Sequence, residues 1–83
     1  MKEKVEKLVN EDIKDLNVFV YDSFTSIEEG KKKLNIVLDS DTVIDLNRIT
    51  EASRIINKKL DSEKFIDDDI YEVDIYSKEK GEE

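Results

Sequence analysis

Two short helical stripes decide what this chain can build. Val5, Leu8, Val9 and Ile13 recur at spacings of three and four, which places them on one side of a helix over Met1–Asp15. Leu46, Ile49, Ala52, Ser53, Ile56 and Leu60 repeat the pattern over Leu46–Leu60, and Ile55 widens that stripe. A helix that is apolar on one side must lay that side on another element. Three β-rich segments, Val18–Phe24, Leu34–Asp39 and Ile70–Tyr76, can receive it. The predicted order is α-β-β-α-β. The expected fold is α+β and two-layered, a three-stranded sheet with two helices on one face, because that arrangement buries both stripes.

Capping and charge agree with these limits. Glu3 and Glu6 stand near the positive end of the first helix and Lys14 near its negative end. Asn17 follows, and Asn tolerates the left-handed turn that closes a helix. Asp45 is placed to cap the second helix, and Lys58 and Lys59 complement its C-terminal end. Within the strands, Leu34, Ile36 and Leu38 share one face, while Asn35, Val37 and Asp39 share the other. Tyr71, Val73 and Ile75 oppose Glu72, Asp74 and Tyr76, which suggests one buried and one wet face. Phe19 and Tyr21 oppose Val18 and Val20, so either both faces are covered there or one is an exposed aromatic surface. Thr25–Lys33 reads as a polar hairpin loop, with Glu28, Glu29, Gly30 and three lysines. Asp61–Asp69 reads as an acidic loop whose Phe65 and Ile66 fold inward. Residues 1–76 form the expected domain and residues 77–83 a charged, disordered tail.

With 83 residues, one domain is expected. The chain has no Cys, His or Trp, which rules out metal sites built on thiolate or imidazole and catalysis by Cys or His. Lack of Cys fits a reducing compartment. The N-terminal segment lacks the apolar core of a secretory signal, and no apolar run approaches the roughly 18 residues of a membrane span. A cytoplasmic protein without a membrane partner is the expectation. Charged residues make up 43% of the chain and the formal net charge is −8. That balance works against general attraction to nucleic acid or anionic lipid and favours a basic partner.

Several motifs invite a sharper chemistry. Asp39-x-Asp41 after Ile36-Val37-Leu38 resembles the first motif of haloacid-dehalogenase-type phosphatases, but the chain is too short for the doubly wound sheet that such chemistry needs. It reads instead as a strand ending in a polar turn. A calcium loop beginning at Asp39 fails, because its sixth position is Ile44 rather than Gly and its twelfth is Thr50 rather than Glu. Asp67-Asp68-Asp69 could hold a divalent cation weakly, although adjacent loop carboxylates are usually just solvated. No enzyme, cofactor, metal or small-molecule substrate is expected. For nucleic acid, Lys31, Lys32 and Lys33 form a compact basic run, and Arg48, Lys58 and Lys59 add positive charge on the second helix. Phe19, Tyr21 or Phe24 could stack on bases, although aromatics in strands more often belong to the core. No Gly-x-x-Gly clamp is present.

The arrangement resembles the N-terminal domain of the ribosome maturation factor RimP family. There the second strand ends in Asp and a polar turn, followed by an apolar residue, a capping Thr, Leu, polar residues and a Val-Ser-Arg-like segment. Here the sequence reads Leu38-Asp39, then Ile44-Asp45-Leu46-Asn47-Arg48, then Ala52-Ser53-Arg54, with Asp45 in the capping role. Tyr71-Glu72-Val73-Asp74-Ile75-Tyr76-Ser77 matches the family's Tyr-x-Leu-Glu-Val-Ser-Ser-like strand, and Asn17 stands where the family often has Gly. The resemblance runs from Val5 to Ser77. Where the family continues into Pro-Gly-x-x-Arg-Pro-Leu and a small-barrel domain thought to contribute to protein contact, this chain has Lys78-Glu79-Lys80-Gly81-Glu82-Glu83. The resemblance implies non-catalytic assembly of the small ribosomal subunit, through contact with the immature subunit and one of its proteins. Lys31, Lys32, Lys33, Arg48, Lys58 and Lys59 are then the candidate contacts to a ribosomal protein or ribosomal RNA. The alternative is a generic interaction domain that dimerises through a sheet edge or the Phe19/Tyr21 face.

Overall fold

The computed structural model describes residues 2–42, 44–63 and 70–78. Helix α1 covers Lys2–Ile13 and runs into a short 3-10 turn, Lys14–Leu16; strands β1 and β2 cover Phe19–Glu28 and Lys31–Asp39; helix α2 covers Leu46–Ser62; strand β3 covers Ile70–Ser77. The α-β-β-α-β order and the α+β class are as expected. The sheet order is β1-β2-β3, so β2, whose residues 34–38 are all buried, is central. β1 pairs with β2 antiparallel through a hairpin, and β2 pairs with β3 parallel. A parallel neighbour needs a crossover, which α2 supplies. Ser77, assigned by sequence to the tail, is the last residue of β3 and pairs with Leu38. Phe65 and Ile66, expected to fold inward, the Asp67–Asp69 run and residues 79–83 of the tail lie outside the described residues.

One core joins the layers. Val5, Val9 and Ile13 of α1 meet Ala52, Ile56 and Leu60 of α2 over Val18, Val20, Leu34, Ile36 and Leu38, all buried. Leu8, Ile49, Ile55, Val73 and Ile75 pack around them. Both helices therefore sit on one face, as their stripes require. Leu46 is a correction: it is 80% exposed, because it precedes the first turn of α2 that meets the sheet. Asn17 adopts the expected left-handed conformation, with φ of 58°. Asp45 caps α2 as expected, its Oδ1 accepting the Arg48 N–H at 2.8 Å.

The predicted loop over Thr25–Lys33 is also corrected. β1 continues to Glu28 and β2 begins at Lys31, so only Glu29 and Gly30 turn the chain. Ser26 faces Lys33, Ile27 faces Lys32 and Glu28 faces Lys31 across the ladder. These strand ends are held by backbone pairing and by the Glu28–Lys33 ion pair rather than by a buried apolar face, so their polarity imitated a loop.

Candidate functional site

Helices cover one face of the sheet and leave the other open. Phe19, Tyr21 and Phe24 of β1 lie on the open face, each between 41% and 43% exposed; alternation accounts for Phe19 and Tyr21, and a bulge brings Phe24 to the same side. A bulge between Val20 and Asp22 sets Tyr21 and Asp22 beside Val37, while Val20 and Ser23 both remain buried. Of the two alternatives for Phe19 and Tyr21, the exposed aromatic surface is the one found. Beneath it the central strand is covered: Val37 is 8% exposed and Asn35 5%. Tyr76 of β3 pairs with Val37 and completes that row from the far edge. Asn35 donates from Nδ2 to Ser26 Oγ at 2.9 Å, and Ser23 Oγ donates to the Asn35 carbonyl at 3.0 Å. Among the described residues no buried side-chain polar atom is left without a partner.

Acidic groups rim this surface. Asp22 and Asp39 sit on the Phe19/Tyr21 side, and the register puts Asp74 in the row of Phe24 and Glu72 in the row of Ser26 and Lys33. Lys78, placed by sequence in the tail, sends its ammonium back over the sheet to lie 4.4 Å from the centre of the Tyr21 ring. Sequence reasoning missed this contact, because it needed the far edge of the sheet to be known.

The six basic candidates fall into three places. Lys31, Lys32 and Lys33 open β2 at the hairpin end. Lys33 Nζ lies on the open face, 3.0 Å from Glu28 Oε1 and 3.6 Å from Asp74 Oδ2. Its hydrogen bond to Glu28 raises the Lys33 pKa above the usual lysine value; burial opposes that, and the charges of Glu28, Asp74 and Glu72 reinforce it. Glu28, Glu29, Lys31, Lys33 and Glu72 line an open groove of about 550 Å³ there. Lys58 and Lys59 lie in the helix layer. With Asp12, Ile55 and Ser62 they border a gap of about 250 Å³ between α1 and α2, where Lys59 Nζ is 3.7 Å from Asp12. Arg48 stands at the start of α2, and its Nη1 donates to Thr42 Oγ1 at 3.1 Å. The sequence brings the three lysines of β2 together, but the fold sets Lys33 and Lys59 on opposite faces of the sheet.

The acidic turn after β2 is a joint. Asp39 Oδ1 accepts the Ser40 N–H at 2.8 Å, Ser40 Oγ donates to the Asn17 carbonyl, and Ser40 Oγ accepts the Thr42 N–H at 3.2 Å. These bonds pin the β2–α2 connection to the end of the first helical segment. Among the described residues no group of three or more carboxylates is disposed to hold a metal ion, and no helix is long and apolar enough to cross a membrane. A family model described as the RimP N-terminal domain matches residues 8–77, from within α1 to the last residue of β3. No curated protein matches the chain.

Proposed function

This chain belongs to the RimP N-terminal domain family, a family of ribosome maturation factors, and from that membership we propose that it acts as a non-catalytic binding domain. It associates with the immature small ribosomal subunit during maturation, in the cytoplasm. The observation that carries this reading is the family match over residues 8–77, which takes in nearly the whole α-β-β-α-β unit. Asp39 is then part of a structural joint, its carboxylate committed to the turn that orients α2.

A net charge of −8 suits contact with a basic ribosomal protein. Lys31, Lys32 and Lys33 at the hairpin end, Lys58 and Lys59 on α2, and Arg48 at its start are the proposed contacts to ribosomal RNA or to that protein. Co-sedimentation tests the reading. The protein is expected to travel with immature small subunits at low salt and less with mature ones. Its absence from the immature subunit fraction would overturn the proposal.

A further inference from the structure

The geometry points to the open face of the sheet as a docking surface for a lysine- and arginine-rich segment of extended polypeptide. This rests on the proposed function in one respect: the segment is taken to belong to a basic partner protein of the maturing subunit. Three observations carry it. First, Phe19, Tyr21 and Phe24 stand together on one face with more than two-fifths of each exposed, an aromatic concentration that a solvated sheet has no need of. Second, the surface is acidic at its edges. Asp22, Asp74 and Glu72 share it with the rings, in a chain of net charge −8, and Lys33, 3.6 Å from Asp74, offsets only part of that charge. Aromatic faces attract cations and carboxylates pair with them, so both chemistries select the same ligand. Third, the surface already holds a cation. The chain's own Lys78 ammonium rests 4.4 Å from the Tyr21 ring, in the place that an incoming lysine or arginine would take.

The spacing fits an extended chain. Side chains on one face of a strand recur about every 6.5–7 Å, as do alternate side chains of an extended peptide. The bulge keeps Phe19, Tyr21 and Phe24 in successive rows beside Asp39, Val37 and Asn35, so a segment lying along β1 could set alternate basic residues over the three rings, with their charges reaching the flanking carboxylates.

The test uses the whole chain and a synthetic twelve-residue peptide of alternating lysine and alanine, with an alternating glutamate and alanine peptide as control. Binding is followed by amide chemical shifts and by titration. The basic peptide is expected to shift the amides of Phe19, Tyr21, Asp22, Phe24 and Asp74, and the acidic one to leave them in place. Tyr21→Ala with Phe24→Ala keeps the charge and should weaken binding about four- to twenty-fivefold, at about two- to fivefold for each cation–π contact. Lys78→Ala should tighten binding about two- to fivefold by vacating Tyr21. Asp22→Asn with Asp74→Asn provides a second route that leaves the rings in place, and it too should weaken binding. Peptide affinity unchanged by the aromatic pair would overturn the inference, since charge alone would then suffice. So would aromatic-dependent binding of oligouridylate in place of the peptide, or a dimer that the aromatic pair abolishes without any peptide binding. Co-sedimentation of the same proteins separates the two claims. Subunit association without peptide binding sinks only the docking face; peptide binding without subunit association sinks only the proposed function.

Discussion

Glu29 holds a backbone conformation that a residue with a Cβ rarely takes. Its φ is 53°, and Gly30 follows at 78°, so both turn residues are left-handed. Two such residues form the tight hairpin turn whose twist matches that of the strands, and Asn-Gly is its preferred pair. Glu29→Asn should therefore raise stability, by about 0.5–1 kcal/mol of the roughly 1–2 kcal/mol that the left-handed region costs an ordinary residue. Gly30→Ala should lower it by about 1–2 kcal/mol. A Cβ at Gly30 would meet nothing within 4 Å, so that loss would be conformational and not a clash. Urea unfolding of the three proteins decides it, and a neutral Gly30→Ala would mean that the turn relaxes. Lys33 makes a pH statement of its own. Its folded pKa lies above the ordinary value of 10.5 because Glu28 accepts its hydrogen bond. Stability from that pair is fully present below 10.5 and is lost as pH rises through the higher folded value. Lys33→Met should show a smaller alkaline loss than the parent chain in unfolding curves taken across that range.

At the level of elements, what was legible followed from periodicity and burial. Val5, Val9 and Ile13, and Ala52, Ile56 and Leu60, announce their helices because only a one-sided helix makes sense of their spacing, and all six are buried. Asp45 announces the start of α2 because a short carboxylate answers free N–H groups there. Where an element is held by something other than burial, the signal fades. Thr25–Glu28 and Lys31–Lys33 are strand, yet they gain from cross-strand pairing and from solvent, so their side chains read as a loop. Leu46 shows the converse: it keeps the helical spacing but stands outside the contact. The aromatic face was legible as a choice between two outcomes, since the pattern cannot say whether a third layer covers it. Because both helices and the sheet share one core, the α2 stripe is a sensitive part of the fold. Ile56 is wholly buried within the core that joins both helices to the sheet. Ile56→Ala should cost about 2–5 kcal/mol. Set against a domain stability of roughly 5–15 kcal/mol, that moves the urea midpoint far down while Leu46→Ala leaves it nearly in place.

For the molecule as a whole, the proposed function raises the question of how a chain of net charge −8 would approach a particle rich in RNA. Spreading the charge evenly would forbid it; the fold does not spread it evenly. The open face carries Asp22, Asp39, Asp74 and Glu72 about the aromatic residues and holds its lysines, Lys31 and Lys33, at the hairpin end, whereas Lys58 is exposed in the helix layer on the other side. A molecule so divided can turn different surfaces to protein and to RNA, and salt separates the two kinds of contact. Each lysine that neutralises a phosphate releases bound counterions, which steepens the fall of affinity with salt by about one unit of log–log slope per contact. Lys31→Ala and Lys58→Ala should each weaken co-sedimentation with immature small subunits and reduce that slope by about 0.7–0.9, the range between single strands and duplex. The pair together should reduce it by about twice as much if both lysines touch phosphate at once. Tyr21→Ala with Phe24→Ala changes no charge, so it should lower affinity without altering the slope. A slope that survives both lysine substitutions would place the RNA contact elsewhere, with Arg48 at the start of α2 the next residue to remove.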